Sequence, residues 1–316
     1  MILFAYQLPF WRQLLSPFQL GILLNLASAL SFYMATFFLK KGSLVDDTPS
    51  WIYAFARYLF GMLFMAAWLV WRGTFRVERK GRTFVLLRSI FNVLAVLAFY
   101  YSVELGHAGM ANVLNMTYPI FVVLLAGPML REWPSRWSLL ITLIALSGVL
   151  LNFPWSAAGS QTDWLAILAG LFSGITAAIA VVSLRGAVQA IPVSTIMFWM
   201  FACGALTMAP VSLGPLLAVP ARIQPWLLLS ALMGLAGQWF LAVSYRYLEA
   251  PIGSIVSSSR ILFALLFGVT LLHESYSGLA WGGALMIAAG NVLLALHSRQ
   301  QKNGNNRRAG HDESSR

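Results

Sequence analysis

Charge is what this chain has least of. Asp, Glu, Lys and Arg make up 10% of its 316 residues, where a soluble domain carries about 25%. With 59% hydrophobic residues and a mean hydropathy of +0.75, no soluble fold of this length hides so much apolar surface. Ten-residue alternations are also missing. The apolar runs are about 20 residues long and unbroken, which excludes a closed barrel and leaves an all-α integral membrane protein. Cysteine is nearly absent: Cys203 alone forms no intrachain disulfide, offers no metal-site spacing and reads as a small core hydrophobe. Carboxylates are missing from the middle of every run, and only Glu104 and Glu249 approach the core, both at helix ends. His107, His273 and His297 also sit at segment ends, and none has a carboxylate beside it in the core. An intramembrane enzyme needs paired acids, a histidine cluster or a Ser/His arrangement at depth. None is present, so no catalytic residue, metal or cofactor is expected.

The net charge of +11 would suggest nucleic acid in a soluble protein. Here it reflects basic loops on one side of a membrane, and no nucleic-acid partner is expected. Residues 1–17 are apolar but lack a basic start followed by a small-residue cleavage site, and Pro9 and Pro17 break them. They read as an interfacial, cytoplasmic lead-in with Trp11 and Arg12 at headgroup level.

Ten apolar segments follow: Phe18–Leu39, Trp51–Trp71, Thr83–Glu104, Met110–Leu130, Trp137–Phe153, Asp163–Leu184, Pro192–Leu213, Pro225–Tyr247, Pro251–Leu272 and Gly278–His297. Pro192, Pro225 and Pro251 open segments, where a missing N–H costs nothing. Pro119 and Pro128 fall inside the fourth and are expected to kink it. With the N-terminus cytoplasmic, fifteen Lys and Arg fall on the cytoplasmic side, three outside and three within segments. That asymmetry predicts ten spans with both ends inside, in the inner (plasma) membrane. Residues 298–316 are polar and read as a disordered cytoplasmic tail. The other loops are too short for a soluble catalytic domain.

The halves echo each other. YYSVELGHAGMANVLNMTYPIFVVLLAGPMLREWPSRW and AVSYRYLEAPIGSIVSSSRILFALLFGVTLLHESYSGLAW share a polar helix end, a tight turn, a small-residue run, an apolar run and a glutamate. Glu132 and Glu274 lie 142 residues apart, Gly61 and Gly204 143 apart. The repeat unit therefore holds five helices, residues 18–153 and 163–297. Five is odd, so the second unit enters the membrane inverted, an architecture recurrent in carriers that work by alternating access. This pattern resembles the EamA-type members of the drug/metabolite transporter superfamily. The resemblance rests on Phe55-Ala56-Arg57-Tyr58, on Tyr118-Pro119, and on the helix-end glutamates in Leu130-Arg131-Glu132 and His273-Glu274. It spans about residues 19–296 and implies export, or sometimes uptake, of small metabolites such as amino acids. The second half departs from the pattern where Met200 replaces the echo of Arg57 and Arg260 stands opposite Tyr118.

Arg260 lies nine residues past Pro251, so about 14 Å into a core about 30 Å thick. An arginine there costs about 2.5–3.5 kcal/mol on insertion scales, tolerable beside a cavity or a partner. Two readings fit: a solute anchor, or a guanidinium snorkelling or bonded to a neighbouring helix. The candidate substrate-binding residues are Arg260 and Tyr118, facing a shared cavity; Arg57; Asn92 and Tyr101 on the third segment; Asn112 and Asn115 on the fourth; and Gln238 and Trp239 on the eighth. For the asparagines, interhelical hydrogen bonding is an equal alternative. Arg88, near the cytoplasmic end of its segment, reads as snorkelling. Gly170-x-x-x-Gly174 and Gly278-x-x-x-Gly282 allow close helix approach, within the chain or in a homodimer. The expected function is a carrier of a small polar metabolite, zwitterionic or anionic, as an exporter. Uptake of a metabolite or vitamin and flipping of a lipid phosphate are the alternatives. Any ion coupling would use Glu104 or His107; otherwise transport is facilitative.

Overall fold

The computed structural model describes residues 16–72, 75–105, 108–151, 164–272 and 277–293. Among these residues there are helices and no strands. The lead-in before Ser16, the tail, Glu274 and the histidines at 107, 273 and 297 lie outside them, as do the side chains of Glu104 and Asn112.

The first helix, α1 (Pro17–Ser43), begins at a capping box. The Ser16 hydroxyl accepts from the Gln19 amide at 3.3 Å, and the Gln19 side chain accepts from the Ser16 amide at 2.9 Å. Both satisfy donors that a helix start leaves open. There follow α2 (Ser50–Arg72), α3 (Arg79–Leu105), α4 (Ala108–Asn115), α5 (Tyr118–Leu130), α6 (Arg136–Leu151), α7 (Trp164–Ala187), α8 (Val193–Leu217), α9 (Gln224–Ser244), α10 (Ala250–Ser257), α11 (Arg260–Leu272) and α12 (Gly278–Leu293).

Eight stretches are long and apolar enough to cross a membrane, with α4–α5 and α10–α11 counting as one each. The shorter apolar helices α6 and α12 stand where the fifth and tenth segments were expected. Both of those segments run into residues outside the described set. Leu63, Phe64, Leu206, Leu217 and Leu285 are exposed, as befits a surface solvated by lipid.

Two segments read as continuous are broken. Pro119 has no N–H to offer the Asn115 carbonyl, so α4 ends there. The Thr117 amide and hydroxyl turn instead to the Leu114 carbonyl, at 3.2 and 2.7 Å. The second break follows Ser257. There the Ser258 and Ser259 amides bond three residues back, each at 3.0 Å, the tighter winding of a 3₁₀ turn. Pro128 sits inside α5 without interrupting it.

The helices pair across the middle of the chain. α1 packs chiefly on α9, α3 on α7, α2 on α8, and α5 on α10 as well as α7. Serine hydroxyls tie two of these pairs in both directions. Ser28 of α1 donates to the Gly237 carbonyl of α9, and Ser230 of α9 to Ala35 of α1, each at 2.8 Å. Ser173 of α7 donates to Ala95 of α3 at 2.9 Å, and Ser102 of α3 to Ala166 of α7 at 2.7 Å. Without water to compete, such bonds join helices at about 0.6 kcal/mol each.

At the α2–α8 crossing the Phe201 ring covers Gly61 and the Tyr58 ring covers Gly204. The rings meet edge to face with centroids 6.3 Å apart. Any side chain at either glycine would collide with the opposite ring. Gly170 and Gly174 admit Leu114 and Thr117 of the α4–α5 break, so that glycine pair works within the chain, whereas Gly278 and Gly282 meet nothing within 4 Å.

Candidate functional site

A cavity of about 660 Å³ runs between the halves. It reaches the α1–α2 connection at Lys40, Ser43 and Ser50, and extends inward to Arg88, Gln238 and Ser257. Lys40 and Ser43 are exposed, so this end is the mouth. Of the candidates read from the sequence, the cavity wall holds Arg57, Asn92, Asn115, Tyr118, Gln238 and Arg260.

Arg260 opens α11 directly after the serine turn. Its guanidinium reaches the Met116 sulfur at 3.3 Å and lies 5.9 Å from the centre of the Phe32 ring. It is thus turned toward α1 and the α4–α5 break. The Tyr118 hydroxyl donates to the Ser254 carbonyl at 3.4 Å. Arg57 rests over the Tyr58 ring at 5.6 Å, a cation–π contact. Its stem fills the space left by Gly234, where any Cβ would strike it.

Tyr101 and Trp239 do not line the cavity. Tyr101 is 46% exposed, and Trp239 packs against the core. Each follows a residue that does line it, Tyr100 and Gln238. Neighbours on a helix point about 100° apart, and in these two pairs the second residue turns away from the cavity. Several polar candidates also join helices. Asn92 donates to the Tyr58 hydroxyl at 2.8 Å, and Asn115 to the Ser173 hydroxyl at 2.6 Å. Asn25 is fully buried, off the wall, bonded to Ser244, Gly253 and Ser257.

Arg88 does not snorkel. It is 2% exposed, lines the cavity, and donates from Nη2 to Gln238 Oε1 at 2.7 Å. The apolar run begins at Thr83, but the helix begins at Arg79, which puts Arg88 nine residues, about 14 Å of rise, along it. Four cations, Lys40, Arg57, Arg88 and Arg260, therefore share the wall, and among the described residues no carboxylate does. Phe32, Tyr33, Phe37, Phe99 and Tyr100 supply much of the apolar lining.

Away from the mouth, no residue of the α5–α6, α7–α8 or α9–α10 connections is in the wall. There Glu132, after α5, takes Arg185 Nε at 2.7 Å on one oxygen and the Ala250 amide at 2.8 Å on the other. Arg185 Nη1 in turn donates to the Tyr245 and Arg246 carbonyls at 2.8 and 3.4 Å. One ion pair thus holds the α9–α10 connection from both sides.

The EamA-like transporter family matches residues 19–153 and, a second time, residues 164–296. The chain belongs to the EamA-like transporter family. Human solute carrier family 35 member G1 is 26% identical over 89% of this chain and 80% of its own length. An uncharacterized transporter of Helicobacter pylori is 30% identical over 66% and 72%. The pseudopaline exporter of Pseudomonas aeruginosa is 24% identical over 87% and 95%. A crystal structure 15% identical in sequence superposes with a TM-score of 0.71, covering 89% of this chain and 98% of its own, a likeness of fold. This EamA-like chain is a multi-pass membrane transporter.

Proposed function

We propose that this EamA-like protein is an alternating-access exporter of a small polar metabolite, anionic or zwitterionic and amino-acid-like. In this reading it crosses the inner membrane ten times as two inverted five-helix repeats, with both ends cytoplasmic. The observation that carries the substrate class is a cavity walled by four cations and, among the described residues, no carboxylate. Arg57 and Arg260 hold the solute's anionic group through charge-assisted bonds. Asn92, Asn115, Tyr118 and Gln238 orient it, with Asn112 placed on the same helix face as Asn115.

The inverted arrangement is supported by reciprocal packing. If α7, α8 and α9 repeat α1, α2 and α3, a twofold axis exchanges the α1–α9 and α3–α7 pairs, exchanges the α2–α9 and α3–α8 pairs, and maps α2–α8 onto itself. All five of these pairs are in contact. The Tyr58–Gly204 and Phe201–Gly61 contacts are likewise exchanged, both at the 143-residue offset. The Lys and Arg asymmetry supports the cytoplasmic ends, and the pseudopaline exporter among the relatives favours export over uptake.

Cells with and without the gene, challenged with a panel of toxic amino-acid and carboxylate analogues, test the reading. Resistance conferred by the gene and lost in Arg260→Ala, at equal membrane expression, is the expected result. Sensitisation by the gene points instead to uptake. Unchanged transport in Arg260→Ala removes that residue from the site.

A further inference from the structure

Arg88 is the cation at the inner end of the cavity and the most deeply buried of the four. A guanidinium carries five N–H donors. One goes to the neutral amide oxygen of Gln238, and Nε is buried without a hydrogen-bond partner. A buried charge is retained only where a counter-charge or a full set of hydrogen bonds offsets its desolvation. Gln238 supplies one bond and no charge. The nearby Asn92 amide is engaged with Tyr58. The cavity side of Arg88 is therefore where its missing anion belongs, and the Arg88–Gln238 bond fixes the fork in the orientation that receives it.

Arg260 stands elsewhere on the wall, against α1 and the α4–α5 break, while Arg88 stands on α3 against α9. The two guanidinia are thus presented from different helices, each held against its own neighbours. The volume, about 660 Å³, lies in the range of sites for sizeable organic ligands and exceeds what a single small carboxylate fills. The aromatic side chains of the same wall suit an apolar spacer.

We propose that the transported solute is an organic dianion with two separated anionic groups, one seated on Arg260 and the other on Arg88, and that Arg88 with Gln238 selects for the second charge. This rests on the reading of the cavity as the solute path. The bonds are non-covalent throughout, and no proton or electron is transferred.

The test uses the full-length protein, purified in detergent. Binding is read by thermal shift and calorimetry at fixed ionic strength. The probes are the α,ω-dicarboxylates from succinate to pimelate, the monocarboxylates butyrate and hexanoate, and glycerol phosphate. At least one dicarboxylate is expected to bind tenfold or more tightly than the monocarboxylate of matching length. In Arg88→Met that advantage should fall below threefold, with monocarboxylate affinity unchanged. Gln238→Leu, which keeps the charge but frees the fork, should show a partial loss and serves if Arg88→Met does not fold.

Equal binding of mono- and dicarboxylates, both lost in Arg260→Ala, overturns the dianion and leaves the carrier reading standing. A dicarboxylate preference that survives Arg88→Met and Gln238→Leu overturns the role of Arg88. Glycerol phosphate binding better than every dicarboxylate replaces two separated groups with one doubly charged head. Binding by none of the probes overturns the dianion and leaves the carrier reading, which admits a zwitterionic solute, to the analogue screen.

Discussion

Gly61 and Gly204 set how closely α2 and α8 approach, because each receives an aromatic ring from the opposite helix. Gly204→Val drives a branched side chain into Tyr58, and overpacking of this kind costs about 1–3 kcal/mol. A fall in Tm of the detergent-solubilised protein is the expected outcome. Tyr58 carries a second burden, since its hydroxyl is the acceptor for Asn92. Tyr58→Phe keeps the ring and strands that amide, at about 1–3 kcal/mol for a buried donor left unsatisfied. The double change Tyr58→Phe with Asn92→Leu should recover part of the loss, which a thermal-unfolding cycle will read. Both effects follow from contacts between residues far apart in the chain.

At the scale of the element, the Glu132–Arg185 pair and the α10 start form a latch at the end of the bundle away from the mouth. Glu132→Ala removes an acceptor from both Arg185 and the Ala250 amide. The closed end should then open more often, so that a cysteine at Ser254, in a Cys203→Ala background, reacts faster with a thiol reagent applied from that side. An unchanged rate would show that the latch does not hold the end shut. Glu249, just before α10, is exposed, yet the surrounding protein raises its carboxyl above the ordinary range, with Glu132 adding and Arg185 opposing. An acid whose folded pKa is raised contributes stability below its unfolded pKa and loses it as pH climbs through the folded value. Glu249→Gln is therefore expected to raise Tm slightly at pH 7 and to leave it unchanged near pH 4. The two helix breaks are the other elements that matter. They stand at Met116, Ser257 and Arg260, three residues of the cavity wall.

At the scale of the molecule, the inverted repeat makes a topological prediction. Ser43→Cys, in the α1–α2 connection beside the mouth, should react with a membrane-impermeant maleimide added outside intact cells. Ser135→Cys, between α5 and α6, should react only after permeabilisation. The opposite pattern reverses the orientation, and labelling of both from one side removes the odd-numbered repeat.

Family and helical class were legible before any coordinates, because a bilayer demands long apolar helices of any chain that crosses it as helix. Arg260 was legible for the same reason, as a charge in the middle of an apolar run. Arg88 was not. Its helix starts four residues before its apolar stretch, so its depth was hidden by Arg79, Lys80 and Arg82 at the interface. The helix breaks were half legible: Pro119 announced one, whereas the serine turn carries no residue that forbids helix. Tyr101 and Trp239 were misplaced because a span solvated by lipid on one side and protein on the other shows little amphipathic stripe, so the sequence gives a side chain's depth but not its azimuth. Depth is set along the chain, by rise per residue. Which way a residue faces depends on which helix lies beside it, and here those neighbours come from the other half of the molecule.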